Sequence, residues 1–159
     1  MFKSVTLPVR RAVYQALKDN VTYMGVVIPV WEEYANGKQA VLTVGVNSPV
    51  TCWIRLINQT EDDNSPKCLR NSSGSIQVQV QTSFNANSGN SVHSEEIMNL
   101  ILGILFPAHD SSSVSLPDPF KLWEFKVTSF PNIPVIESNT NRIWVKQAVI
   151  EYQVSQSES

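Results

Sequence analysis

Ser75-Ile76-Gln77-Val78-Gln79-Val80-Gln81-Thr82-Ser83-Phe84 is the stretch that decides the fold. Ile76, Val78, Val80, Thr82 and Phe84 fall on one face, and Gln77, Gln79, Gln81 and Ser83 on the other. A period of two marks a strand with one buried face. One turn-rich stretch later, Ile97, Leu100, Ile101, Ile104 and Leu105 recur at i, i+3, i+4, i+7 and i+8. That spacing predicts an amphipathic helix over residues 94–106. A helix packed on an antiparallel sheet follows, with the opposite sheet face neutral and polar. This outer face carries no charge, no histidine and no thiol, a composition suited to contact and not to chemistry.

Working outward, Val5, Val9, Ala12, Val13, Ala16 and Leu17 share one stripe, so residues 5–18 read as a first helix. Pro8 is tolerable in its first turn, Ser4 or Thr6 can cap it, and Asn20 suits a left-handed ending. Apolar segments at 25–33 and 40–46 flank the turn signal Ala35-Asn-Gly-Lys38. Residues 51–58 form a further strand, and the polar stretch 59–74, acidic at Glu61-Asp62-Asp63, reads as the tip of a long hairpin. Ser91 or Ser94 caps the second helix, Glu95 and Glu96 favour its dipole, and Pro107 stops it. Residues 108–119 are a Ser/Pro/Asp loop. Residues 122–128 are a strand with Trp123, Phe125 and Val127 inward. Phe130-Pro-Asn-Ile-Pro134 breaks it before a last strand over 142–154. The expected class is α+β: a mainly antiparallel sheet with two helices packed on one face. Residues 1–154 form one domain, and residues 155–159 a disordered polar tail.

The 159 residues suffice for one core without staples. Charged residues make up 16% of the chain, against roughly 25% in typical soluble domains. Neutral amides and hydroxyls take their place. Such a surface is easier to desolvate, which suits a subunit that buries much of itself against neighbours; a compositional bias of the lineage explains it equally well. The formal charge of −2 and pI near 5.6 argue against a protein that wraps duplex DNA by neutralising phosphates. Cys52 and Cys68 flank a long loop; they could bridge a hairpin, but free thiols in a reducing cytoplasm are the better reading. The sequons at Asn20, Asn58 and Asn71 are expected by accident in a chain this rich in Asn and Ser. No apolar leader follows Met1-Phe-Lys-Ser, and the run at 97–106 is about half a membrane span. A soluble chain made in the cytoplasm, with no membrane partner, is expected.

No residue type stands in a pattern that catalysis, a cofactor or a metal requires. His93, His109, Asp110 and Ser111–Ser113 invite a hydrolase reading, yet nothing resembles a nucleophile elbow. Glu61-Asp62-Asp63 lacks the alternate spacing and central glycine of a calcium loop, and Glu32-Glu33 lacks a paired His or Cys. Trp31, Trp53, Trp123 and Trp144 could form a stacking platform, but each lies in a strand pattern where core or interface packing explains it.

The layout resembles the small tail-completion or tail-terminator proteins of tailed bacteriophages. The similar pieces are Arg11-Ala-Val-Tyr-Gln-Ala-Leu17, Ile28-Pro-Val-Trp-Glu-Glu-Tyr34, the alternating strand 76–84, the helix 95–105 and the closing strand 143–154. The stretches 59–74 and 108–119 both exceed the family layout. The resemblance implies a non-enzymatic virion subunit without cofactors. It would form a homo-oligomeric ring, six-fold or twelve-fold, at the tail end or head–tail junction. Such a ring contacts portal, neck or tail proteins and encloses DNA without reading its sequence. A portal-proximal neck or adaptor ring of a short-tailed phage is the neighbouring reading. A small carbohydrate- or ligand-binding α+β module is the alternative of another class.

Overall fold

The alternating stretch lies at the centre of a seven-stranded sheet. The computed structural model describes residues 3–32, 38–43, 49–63, 70–108 and 111–157. Among them, α1 (Thr6–Leu17) precedes the short strands β1 (Thr22–Tyr23), β2 (Val26–Val27), β3 (Val30–Trp31) and β4 (Ala40–Thr43). The long arms β5 (Pro49–Asp63) and β6 (Arg70–Asn85) come next, followed by α2 (Val92–Leu105). The chain closes with β7 (Phe120–Ser129), β8 (Ile136–Glu137) and β9 (Asn141–Gln156). The sheet order is β3-β5-β6-β9-β7, with β4 on β5 and β8 on β9, while β1 and β2 make a separate hairpin. Every pair is antiparallel except β3–β5. The class is α+β, as the two hydrophobic periods require.

Ile76, Val78, Val80 and Thr82 are fully buried, and Phe84 nearly so. β5 sets Leu56 and Ile54 beside Val78 and Val80, and β9 sets Ala148 and Ile150 on the other side. Against this face α1 packs Val9, Val13 and Leu17, and α2 packs Ile97, Met98, Ile101 and Leu105. Each such side chain contributes about 1.5–3 kcal/mol by leaving water. Met98 takes a core place that the periodicity did not assign, and Leu100 stays 40% exposed.

Several local expectations are corrected. Glu61-Asp62-Asp63 is no hairpin tip: the ladder continues through Asp62↔Ser73 and Asp63↔Ser72, so the connection is confined to residues 64–69, outside the described residues. A bulge between Ile57 and Thr60 carries the arm onward, and Gly74 meets it closely. A Cβ there would sit 2.1 Å from the Thr60 carbonyl oxygen and 2.7 Å from the Tyr152 hydroxyl. Residues 155 and 156 are not a frayed tail either. They complete β9, with Ser155 and Gln156 buried. Gln156 binds the Lys3 backbone with both ends of its amide: Oε1 accepts from Lys3 N–H at 2.8 Å, and Nε2 donates to the Lys3 carbonyl. Trp123 is 63% exposed and not inward. The register shift between Leu122 and Glu124 inserts a residue, so Leu122 and Phe125 face the core while Trp123 turns out. The left-handed residue after α1 is Asp19 (φ 60), and Asn20 instead donates its amide to the Ala16 carbonyl at 2.9 Å. The 35–37 part of the Ala35–Lys38 turn, Glu33, Cys68, His109 and Asp110 lie outside the described residues.

Candidate functional site

The neutral amide face, expected to serve contact, is an organised surface. Gln81 Nε2 donates to Gln79 Oε1 at 3.0 Å, Gln79 Nε2 to Gln147 Oε1 at 2.5 Å, and Gln147 Nε2 to Gln77 Oε1 at 2.8 Å. This directional chain crosses from β6 to β9 and back, so each amide satisfies its neighbour and Gln81 and Gln147 are themselves buried. Thr51, Trp53, Arg55 and Ile57 flank the ladder on β5, and Ile143, Val145 and Val149 flank it on β9. Trp31 stacks on Trp53 with centroids 5.1 Å apart, and its indole donates to the Lys38 carbonyl at 2.7 Å. Neither tryptophan belongs to the core beneath the helices. At the far end of the face, Asp62, Glu124 and Glu151 surround a small cleft of about 220 Å³, with Lys126 pairing Glu124 at 2.5 Å. The result is a broad sheet face, polar at its centre, apolar along its sides and acidic at one end.

The acidic run has a further role that its spacing did not reveal. The Glu61 carboxylate accepts from Val5 N–H at 3.2 Å and from the Ser4 hydroxyl at 2.5 Å, at the start of α1. Ser4 Oγ in turn accepts from Thr6 N–H at 3.3 Å. A carboxylate at a helix N-terminus meets unpaired N–H groups and the positive end of the dipole. Arg70 lies 3.9 Å from Glu61 and 3.6 Å from Asp63, tying the arms together. Glu61 is thus a structural cap.

Among the described residues, the hydrolase candidates His93 and Ser111–Ser113 are not brought together. Ser113 Oγ donates to the Ile104 carbonyl at 2.7 Å and Ser112 Oγ accepts from Val114 N–H at 3.0 Å, so these hydroxyls close the end of α2 and shape the loop behind it. His93 stands elsewhere, in a cluster with Tyr23 and Glu96. Tyr23 Oη lies 2.8 Å from His93 Nδ1, the two rings meet edge-on at 5.7 Å, and Tyr23 donates to the Glu96 carboxylate. Its one proton being committed to Glu96, the hydroxyl accepts from Nδ1–H. Burial, reinforced by Glu96, pushes the Tyr23 hydroxyl up to about 12, so it stays a donor at neutral pH. Cys52 is a free, buried thiol, and burial pushes it up to about 12. A protonated thiol is a poor nucleophile. The cluster is a latch between β1 and the first turn of α2, and it has no nucleophile. Among the described residues, no group of three or more His, Cys, Asp or Glu side chains is placed to hold a metal ion.

The tryptophans do not form one platform. Trp31 and Trp53 occupy each other's faces, Trp144 is half-buried against the core, and the exposed Trp123 carries the Lys121 ammonium 4.0 Å from its ring centre. A cleft of about 750 Å³ separates β7 from the loop after α2, lined by Phe106, Val114 and Phe125 among others. No helix among the described residues is long and apolar enough to cross a membrane. Compared with protein-family models and with curated proteins, the chain matches none.

Proposed function

We propose that this chain is a structural virion subunit that assembles into a ring at the tail end or head–tail junction of a tailed phage, around the channel through which DNA passes. The observation that carries the reading is the glutamine-laddered sheet face, held rigid by its own hydrogen bonds and rimmed by Ile57, Ile143, Val145 and Val149. Amides that already bond one another, and β-branched side chains, lose little when a neighbouring subunit displaces water from them. The acidic end at Asp62, Glu124 and Glu151, together with the net charge of −2, suits a wall past which DNA slides without binding. The layout resemblance chooses phage tail completion among ring-forming roles, with a portal-proximal neck ring as the neighbouring assignment.

The test is assembly. The purified chain is examined by light scattering and negative-stain microscopy, and a phage lacking its gene is complemented with wild type or with Gln79→Arg/Val149→Arg. Closed rings, and loss of head–tail joining with the face variant alone, support the proposal. A folded monomer whose face variant complements fully rejects it.

A further inference from the structure

We propose that the β1–β2 hairpin of one copy seats in the groove beside α1 of a second copy, a head-to-tail contact between two different surfaces of the same chain. The hairpin is a rigid apolar knob. Its two-residue tip, Met24-Gly25, has positive φ at both positions (51 and 76), the geometry of a tight hairpin turn. Asparagine or glycine suits the first of these positions, whereas methionine is strained there and is 55% exposed. Val27, 47% exposed, lies opposite Thr22 on the outer side, while Tyr23 and Val26 pack down on the core. A two-stranded hairpin this short is marginal alone. The Tyr23–His93–Glu96 latch holds it in one position, so its apolar tip is presented with little entropy left to lose on docking.

The receiving surface is a groove of about 630 Å³ between α1 and the loop before β7. Leu7, Ala12, Val114 and Phe120 line it, together with Arg11 and Gln15. Charge matches as well as shape. Glu96 is bonded to Tyr23 of the hairpin and Asp19 precedes it by three residues, whereas Arg11 lines the groove and α1 carries no acidic residue.

A chain does not fill its own groove, since no residue of the hairpin lines it. The hairpin is latched to the first turn of α2, and the loop lining the groove is fastened by Ser113 to the Ile104 carbonyl in its last turn. Eight to eleven residues of α2 separate the two, about 12–17 Å along the helix axis. A knob and a hole on separate parts of one subunit make a heterologous contact, which repeats until rotation closes a ring. The inference deepens the ring proposal and rests on it.

Two single-cysteine variants, Met24→Cys and Gln15→Cys, are made in a Cys52→Ala/Cys68→Ser background and treated with a short bismaleimide, separately and mixed. The contact predicts cross-linked dimers in the mixture and none with either variant alone. Met24→Asn supplies a better turn residue without the apolar tip. It should melt at or above the wild-type temperature and self-associate at least tenfold more weakly in sedimentation velocity. Cross-linking of Met24→Cys with itself as efficient as in the mixture overturns the proposal, as does wild-type association of Met24→Asn. If the wild type forms rings but the mixture yields no cross-link, the knob is refuted and the ring reading stands. A wild type that is monomeric at 100 µM (about the upper end of such an assay, where contacts weaker than ~5 kcal/mol are already lost) removes both.

Discussion

Replacing Glu61 by alanine tests whether the acidic run is a structural cap or a solvated tip. The change removes the acceptor for Val5 N–H at 3.2 Å and for the Ser4 hydroxyl at 2.5 Å. Loss of a helix cap costs about 1 kcal/mol. Val5 is fully buried, so its N–H is left without water or partner, which adds about 1 kcal/mol. The Arg70 contact at 3.9 Å, with side chains 25% and 15% exposed, adds little after solvent screening. The total is about 2 kcal/mol. In a domain of this size that lowers the melting temperature by about 4–8 °C. Asp62→Ala, one residue along and exposed, is the control and should stay within ~0.5 kcal/mol. Glu61→Gln, which keeps an acceptor but loses the charge, should fall between them. Thermal and urea melts followed by far-UV circular dichroism, at one fixed low concentration, read all three. Equal melting temperatures for Glu61→Ala and Asp62→Ala would refute the capping argument.

Val80→Asp should lose more than ~4 kcal/mol, since it removes a fully buried side chain and strands a carboxylate in the core, whereas Gln79→Asp at the ladder should lose about 1–2 kcal/mol. Equal losses in the same melts would reverse the assignment of the two sheet faces. Gly74→Ala should destabilise by about 3 kcal/mol, because a Cβ would stand 2.1 Å from the Thr60 carbonyl oxygen; a variant as stable as wild type would show that the arms do not cross there. Cys52 and Tyr23 are both pushed up to about 12 in the fold, from ordinary values of 9.0 and 10.0. The unfolded chain therefore releases these protons first, so stability is full below about pH 9 and declines as pH rises toward 12. Urea midpoints between pH 8 and 11 should fall less steeply in Cys52→Ala, and an unchanged slope would remove the thiol from the explanation.

Local period carried much of the fold. The alternation at Ile76–Phe84 and the stripe from Ile97 to Leu105 each have an unambiguous repeat, and both elements form where that repeat places them. What escaped depends on partners far away in the chain. Trp123 continues the alternation of its strand on paper, but a bulge changes its side, and a bulge leaves no composition signal there. Glu61 reads as one of three exposed acids until β5 brings it beneath α1, 56 residues away from its partner Val5. Ser155 and Gln156 look like the start of a polar tail, yet Gln156 clasps the Lys3 backbone across 153 residues. The β1–β2 hairpin is written locally: Met24-Gly25 between Thr22-Tyr23 and Val26-Val27 is a two-residue turn between β-formers. The candidate surface was half legible. Its neutral face showed in the glutamines, while the hydrogen-bonded ladder needed Gln147 from the last strand.

Assembly state is the most direct test of the central claim. Native mass spectrometry with negative-stain microscopy, on the full chain at rising concentration, measures it in one experiment. A ring subunit gives a closed ring whose mass is six or twelve times that of the 17.8 kDa chain, with an open central channel. A folded species that stays at 17.8 kDa throughout, or an open filament without a closed form, would contradict it.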